Sequence, residues 1–368
     1  MLDAAEMREK TMLSESEKKL REIIAKILPA DERYEKIAQK RWNSIAKPLH
    51  GLGLLEDSVC QLAAIQRTEK PCIKKRALLV FCADNGIVEE GVTQTDSHVT
   101  ALVAKNLCTG ATSACKMALV VDCHVFPVDM GMNEAVEHES IKDLHVARGS
   151  KNFLKEDAMT REEAGRALLN GALLADELAD QGYQLLAVGE MGIGNTTTSS
   201  ALASLLLNLP PEDVTGYGAG LSAEGLARKI QVIRQGIESR RPDRNDVLDM
   251  LSKVGGFDIA GITGCMLGAA ARKIPVIIDG LITQVAALLA VRLCPAAKGY
   301  LLASHRGSEK ACGLLLDALE KKALIDAGFH LGEGTGALAL IPLLDMALRV
   351  YDEMATFDDI QLEAYKPL

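Results

Sequence analysis

The sequence of 368 residues is 48% hydrophobic and 25% charged, which indicates a folded globular protein and excludes a disordered chain. Its 50 acidic and 41 basic residues give a formal net charge of −9, so nucleic acid is not expected as a partner. No apolar run reaches the roughly 18 residues of a transmembrane helix. The nine cysteines and seven histidines show no CxxC or HExxH spacing, so we expect a cytoplasmic protein, with no membrane contact and no metal centre.

The first predicted elements are helices. Ser14 and Glu17 have capping-box spacing, and apolar residues follow at helical intervals as far as Pro29. A second helix is predicted over residues 31–46. This charged helical pair is expected to pack onto a larger body or onto a partner subunit.

From Arg76 onward, predicted strands alternate with predicted helices. The strands are expected at residues 77–82, 120–128, 184–188, 275–278 and 300–303, and helices at 162–181, 223–239 and 281–293. The strands are continuously apolar, which is typical of a mostly parallel sheet covered on both faces, in the α/β class. A last helix over residues 341–354 is expected to return beside the amino-terminal helices. In such sheets ligands bind beyond the carboxyl ends of the strands.

The loop after the third strand predicts a phosphate site. Residues 189–197 read GEMGIGNTT, with the length of a phosphate-binding P-loop but with Asn195 at the lysine position. Triphosphate cleavage is therefore not expected. Backbone amides, the following helix start near Thr197 and the neighbouring Thr196 could still hold a phosphate. A tight turn that needs glycine only for its geometry is the alternative.

Three side chains in these loops are candidates for acid–base chemistry. Glu333 lies between Gly332 and Gly334 in an apolar neighbourhood, which suits a general base. A solvent-facing turn glutamate is equally compatible with that pattern. Glu190 is a second carboxylate of the same type, and His305 could be an acid, a hydrogen-bond donor or a core histidine.

A second glycine motif leaves another class of enzyme open. Residues 218–223 (GAGLSA) match the dinucleotide fingerprint, with Asp243 at the expected distance. The preceding Pro210 and Pro211 argue against the central strand that this motif requires. We therefore predict a loop that leads into a helix, from which Lys229 could reach a phosphate. A dehydrogenase that binds NAD at Gly218 and Gly220 remains the alternative, and a non-catalytic nucleotide-binding subunit is a third.

Six segments, in this order, resemble the nicotinate-nucleotide–dimethylbenzimidazole phosphoribosyltransferase family, which activates cobamide lower ligands. They are VFCADNG at residues 80–86, GEMGIGNTT at 189–197, KVGGFD at 253–258, PVIIDG at 275–280, SH at 304–305 and LGEGTGA at 331–337. Each motif alone is weak, but six in order are specific. The resemblance implies a Rossmann-like domain over residues 76–340, with a small helical lobe formed by residues 1–75 and 341–368, and a dimer.

The resemblance also implies transfer of phosphoribosyl from nicotinate mononucleotide to a cobamide base, with inversion from the β to the α linkage and without metal or cofactor. Glu333 would be the general base, and Glu190 would line the reaction centre. The residues expected to hold the nucleotide and its 5′-phosphate are Gly192, Ile193, Gly194, Asn195, Thr196, Lys229, Gly332, Gly334 and Ser304.

The expected acceptor pocket is where the sequence departs from the family pattern. Its predicted residues are Asp84, Asn85, Thr95, Val103, Met191 and Leu331. Asn85 stands where the family usually has histidine, and Val103 replaces a glutamine. These changes suggest unchanged chemistry on a changed acceptor, such as phenol or p-cresol. The family members that use those acceptors work as paired non-identical subunits. The alternatives are neutral drift at the pocket rim and a homodimer.

Overall fold

The computed structural model describes residues 13–365, and a six-stranded parallel sheet forms its centre. The strands are β1 (Arg76–Ala83), β2 (Cys123–Gly131), β3 (Lys142–Asp143), β4 (Leu185–Met191), β5 (Val276–Ile278) and β6 (Leu301–Ala303). Their order across the sheet is β3-β2-β1-β4-β5-β6, and every pair is parallel. Every residue of β1, β5 and β6 is buried, as continuously apolar strands require. The predicted α/β class is therefore confirmed.

All five predicted strands form, with one start misplaced. The second strand begins at Cys123 rather than at Val120, because Val120 is the last residue of a helix that leads into it. The run from Val120 to Val128 is mostly apolar, with Asp122 and His124 as exceptions, so its pattern does not mark the boundary. β3 has only two residues, too few for any periodicity to be visible in the sequence.

Helices occupy most of the remaining chain. In chain order they are α1 (Glu15–Ile24), α2 (Glu32–Ser44), α3 (Leu54–Gln66), α4 (His98–Cys108), α5 (Ser113–Val120), α6 (Arg161–Asp180), α7 (Asn195–Leu207), α8 (Pro211–Val214), α9 (Ala223–Arg240), α10 (Val247–Val254), α11 (Phe257–Ala271), α12 (Leu281–Leu293), α13 (Ala311–Ala318) and α14 (Thr335–Glu353), with 3₁₀ turns at Gly86–Glu90 and Pro295–Tyr300. Along the described chain, residues 13–365, no helix is long and apolar enough to cross a membrane.

The helices α6 and α11 pack against each other at unusually close range. A Cβ atom added at Gly171 of α6 would overlap the backbone of Gly261, and one added at Gly264 of α11 would overlap the backbone of Leu168. Glycine is needed at these positions because the two backbones are in contact. The Thr160 capping box, in which Thr160 and Glu163 bond each other's backbone N–H groups, begins α6.

The two ends of the described chain meet. The rings of Trp42 (α2) and Tyr351 (α14) pack edge to face with their centroids 5.1 Å apart, and Ile45 forms an antiparallel bridge with Thr356. The last helix begins at Thr335 rather than at the predicted residue 341. Glycines between residues 332 and 336 hide this start because glycine is a poor helix former. The division predicted after residue 340 therefore falls inside a helix. The lobe itself stays a prediction, and residues 1–12 and 366–368 of it lie outside the described residues.

Candidate active site

The loops that carry the candidate catalytic and binding residues meet at the carboxyl edge of the sheet. Because all strands are parallel, the ends of β4, β5 and β6 lie on one edge. The loops that follow them, together with the segment before α14, surround a cavity of about 260 Å³. The predicted site residues that line this cavity are Glu190, Met191, Gly192, Ile193, Asn195, Thr196, Leu331, Gly332 and Glu333.

Glu190 is a buried carboxyl group at the end of β4. The side-chain amide of Asn195, the first residue of α7, donates hydrogen bonds to Glu190 Oε2 and, at 3.2 Å, to Asp258 Oδ2. Burial, with nearby carboxylates that include Asp279, raises the pKa of Glu190 to about 8. Burial also raises the pKa of Asp258 to about 6. At neutral pH Glu190 is therefore mostly protonated and can donate a hydrogen bond.

Glu333 projects from a loop in which three consecutive residues have left-handed backbone conformations. Its φ is 57°, between Gly332 at 92° and Gly334 at 79°. The two glycines adopt such angles without cost, whereas the glutamate is strained, and backbone strain of this kind occurs at functional sites. The Glu333 N–H donates to the carbonyl of Glu190 at 3.3 Å, and its carboxylate Oε2 accepts from Ala114 N at 3.5 Å, at the start of α5.

Asp279, which follows β5, holds this loop in place. Its carboxylate accepts hydrogen bonds from the N–H groups of Gly334 at 3.2 Å and Ala337 at 3.1 Å. Asp279 thus caps the start of α14 from another part of the chain, because the first N–H groups of a helix have no partner within it. Burial raises the pKa of Asp279 to about 7. The sequence motif contained Asp279, but only the fold reveals its link to Glu333.

The glycine-rich loop after β4 meets a buried lysine. Gly194 has a φ of 93°, and α7 begins at Asn195, two residues before the predicted start. From α9, Lys229 donates from Nζ to Thr196 Oγ1 at 2.9 Å and to the Gly216 carbonyl at 3.4 Å. Only 1% of Lys229 is exposed, and this burial lowers its pKa to about 8. Lys229 therefore lies behind the loop that was predicted to bind phosphate.

Other predicted residues do not line the cavity. Gly194 and Gly334 form the backbone turns described above. Ser304 is buried, and its hydroxyl donates a hydrogen bond to the Ile278 carbonyl. Asp84 Oδ2 accepts from Asn133 N at 2.7 Å, and Asn85 Oδ1 accepts from Thr198 at 2.8 Å.

The remaining two acceptor-pocket residues also lie away from this cavity. Thr95 is exposed, and Val103 is half-buried against the core. Of the six residues predicted for the acceptor pocket, only Met191 and Leu331 line the cavity. An acceptor role for the other four stays a prediction.

The dinucleotide-binding alternative is wrong. The segment before Gly218 contains helix α8 (Pro211–Val214) and no strand, so the turn from strand to helix that the fingerprint requires does not form. The motif at residues 253–258 contains Asp258, but its contact with Asn195 is not predicted by the sequence. Asp258 lies in the first turn of α11, where no pattern of strand exits could reveal that contact. Residues 13–365 contain no group of three His, Cys, Asp or Glu side chains that could hold a metal ion.

Comparisons with known proteins agree with this architecture. A family model described as a phosphoribosyltransferase matches residues 27–362. The nicotinate-nucleotide–dimethylbenzimidazole phosphoribosyltransferase of Acetivibrio thermocellus is 43% identical over 331 residues, 90% of this chain and 94% of the relative. The protein of the same name from Clostridium acetobutylicum is 42% identical over 330 residues, 90% of this chain and 94% of the relative.

A solved structure gives the same result for the fold. The crystal structure of the enzyme of that name from Thermus thermophilus superposes with a TM-score of 0.85 at 36% sequence identity, covering 91% of this chain and all of that one. A second structure from the same organism gives a TM-score of 0.86 at 37% identity, covering 90% of this chain and 99% of that one. The chain therefore belongs to the nicotinate-nucleotide–dimethylbenzimidazole phosphoribosyltransferase family.

Proposed function

We propose that this protein transfers the phosphoribosyl group of nicotinate mononucleotide to a cobamide lower-ligand base, releasing nicotinate and forming an α-riboside 5′-phosphate. The observation that carries the proposal is that Glu190 and Glu333 line one cavity together with the start of α7, behind which Lys229 lies. The names of the relatives supply the substrate class. No cofactor takes part in the proposed reaction.

The donor nucleotide is anchored by its phosphate. Gly192, Ile193 and Thr196 line the cavity at the start of α7, where backbone N–H groups and the helix dipole favour an anion. Lys229 lies behind Thr196 and supplies the positive charge. A phosphate held there would fix the ribose and present C1′ to the acceptor, and such positioning lowers the barrier by making the attack effectively unimolecular.

The reaction needs help at the acceptor rather than at the leaving group. The nicotinate ring nitrogen is already cationic in the donor, so it leaves with the electron pair of the C1′–N bond and needs no proton. The acceptor forms the new bond to C1′ with the lone pair of its unprotonated ring nitrogen, and the proton on its other ring nitrogen passes to the carboxylate of Glu333. Attack on the face opposite nicotinate converts the β linkage to the α linkage. Glu190, protonated at neutral pH because burial raises its pKa to about 8, adds no second negative charge to this centre.

The proposal is tested by direct product analysis. The purified protein is incubated with nicotinate mononucleotide and, separately, with dimethylbenzimidazole, adenine, phenol and p-cresol. The expected result is nicotinate and an α-riboside 5′-phosphate in equal amounts with at least one acceptor, identified by mass and by the anomeric proton signal. Absence of nicotinate release with every acceptor would refute the proposal. The β-nucleotide as product would refute the inversion.

The acceptor and the assembly are the finer parts of the proposal. A benzimidazole is the acceptor named for the relatives, whereas Asn85 and Val103, which depart from the family pattern, favour a phenolic acceptor. The acceptor panel decides between them. We further infer a dimer, either of two identical chains or with a paralogous chain. The native mass of the protein alone, and after co-expression with such a paralogue, distinguishes these assemblies.

A cytoplasmic location is proposed on two observations. All nine cysteines are free thiols, and seven of them are buried. Cysteines used in this way, as small apolar side chains, are typical of a reducing compartment. Fractionation of cells that express the protein, followed by immunodetection, would place it in the soluble cytoplasmic fraction.

A further inference from the structure

His305, at the exit of β6, is held in one tautomer. Its Nδ1 lies 2.9 Å from Ser304 Oγ, and that oxygen lies 2.7 Å from the carbonyl oxygen of Ile278. A carbonyl has no proton to give, so the single hydroxyl proton of Ser304 lies on the bond to Ile278. Ser304 Oγ must therefore accept from Nδ1–H of His305. Asp279 Oδ1, at 3.7 Å from the same Nδ1, favours that proton as well.

The opposite ring nitrogen, Nε2, is therefore a free acceptor when the ring is neutral. Burial lowers the pKa of His305, which favours the neutral ring. Residues 13–365 provide no hydrogen bond to Nε2. A Cβ atom added at Gly280 or at Gly307 would lie 3.7 Å from Nε2, and both glycines line the cavity, as His305 itself does. The imidazole is packed against the ring of Phe329, with centroids 5.2 Å apart. A rigid side chain thus presents one lone pair to the cavity.

The donor nucleotide offers few groups that could satisfy this acceptor. Its phosphate is largely a dianion above its second pKa of about 6 and has no proton to share. The nicotinate carboxylate and the cationic ring nitrogen have none either. The acceptor's N–H or O–H proton is assigned to Glu333. The two ribose hydroxyls remain as hydrogen-bond donors.

We propose that Nε2 of His305 accepts a hydrogen bond from a ribose hydroxyl of the donor nucleotide and so positions the ribose for attack at C1′. This inference rests on the proposed function. His305 would thus recognise the ribose of the donor, whereas the start of α7 binds its phosphate.

The experiment measures binding of nicotinate mononucleotide and of its 2′-deoxy and 3′-deoxy analogues to the parent protein by calorimetry. One analogue should bind about three- to tenfold more weakly than the parent nucleotide, the usual size of one lost neutral hydrogen bond. His305→Asn keeps a donor toward Ser304 but has no atom at the place of Nε2. It should bind the parent nucleotide and that analogue equally. His305→Gln, which can place its amide oxygen near the position of Nε2, should restore the discrimination.

His138→Asn is the matched control, because His138 is an exposed histidine that does not line the cavity. It should keep the discrimination of the parent protein. Equal binding of all three nucleotides by the parent protein would overturn the role of His305 even if neither His305 variant folded. Discrimination that persists in a folded His305→Asn variant would also overturn it. If the parent protein binds none of the nucleotides, the proposed function fails instead, so the two failures are distinguishable.

Discussion

Four ionisable residues at the cavity or behind its wall are buried, and burial disfavours the charged form of each. Glu190, Asp258 and Asp279 are fully or almost fully buried, and burial raises the pKa of each. Lys229 is the corresponding cation, with its pKa lowered to about 8. Perturbed groups of this kind cluster at functional sites because catalysis and anion binding need protonation states that water would not favour. Each of them predicts a pH dependence with a definite sign.

Glu190→Gln should stabilise the protein more at pH 8 than at pH 5. The folded-state pKa of Glu190, about 8, lies above the ordinary value of 4.5. The folded protein therefore keeps a proton that the unfolded chain loses, and stability falls as pH rises through this window. Glutamine has no proton to lose and can still accept from Asn195. The difference in Tm between variant and parent should increase from pH 5 to pH 8 and then level off.

The control for this measurement is Glu320→Gln, at an exposed glutamate paired with Lys298. Its pKa is lowered rather than raised, chiefly by the hydrogen bond from Lys298, so its contribution is constant between pH 5 and 8. A Tm difference for Glu190→Gln that is equally constant over this range would show that Glu190 is ionised in the folded protein.

Lys229→Met should weaken binding of nicotinate mononucleotide and remove the pH dependence of that binding. Above pH 8 the lysine of the free protein loses its proton, so affinity of the parent protein for the phosphate dianion should fall, by at most about tenfold per pH unit. The variant should bind weakly and equally at pH 7 and pH 9. Arg228→Met, at the exposed neighbouring cation, should behave like the parent protein. If Lys229→Met binds the nucleotide as tightly as the parent protein at pH 7, Lys229 does not contribute to phosphate binding.

At the scale of the elements, the start of α14 couples stability to the position of Glu333. Asp279 bonds the N–H groups of Gly334 and Ala337, on either side of the helix start. Asp279→Ala should therefore lower the free energy of unfolding by about 0.5–2 kcal/mol, as the loss of a cap does. It should also lower kcat, because the Glu333 loop loses its anchor.

Asp246→Ala provides the matched control. Asp246 caps α10 by accepting from Leu248 N and Asp249 N, and it does not line the cavity. This variant should lose similar stability with little loss of turnover, as measured by denaturant unfolding and initial rates. Equal losses of kcat in the two variants would indicate that Asp279 acts only through global stability.

The sequence predicts elements better than their boundaries. Apolar runs correctly predict the five longer strands. They do not locate the start of β2, because the last residues of helix α5, just before it, are also apolar. The glycines that allow the Glu333 loop to turn also concealed the start of α14. Glycine-rich loops at strand exits located the cavity because parallel strands end on one edge. The Asn195 contact with Asp258 was not predictable, since it joins residues 63 positions apart.

At the scale of the whole molecule, the fold brings together groups that no local pattern connects. Glu190 comes from β4, Lys229 from α9 and Glu333 from the segment before α14. Only the parallel sheet and the packing of α9 on α7 place them around one cavity. For the same reason, the positions of the residues expected in the acceptor pocket could not be worked out from local patterns. The family resemblance alone predicts Asn85 and Val103 for this pocket, and in the structure their side chains pack into the protein body.

The central claim is that Glu333 removes the acceptor proton during phosphoribosyl transfer. The most direct test is kcat of Glu333→Gln at neutral pH with saturating nicotinate mononucleotide and the acceptor that the product assay identifies. Glu320→Gln is the matched control, since Glu320 also has a left-handed backbone, with φ of 53°, but lies on the surface. We predict that kcat falls about 10²–10⁴-fold in Glu333→Gln alone, with nucleotide binding unchanged. A kcat within a few-fold of the parent protein would contradict the account.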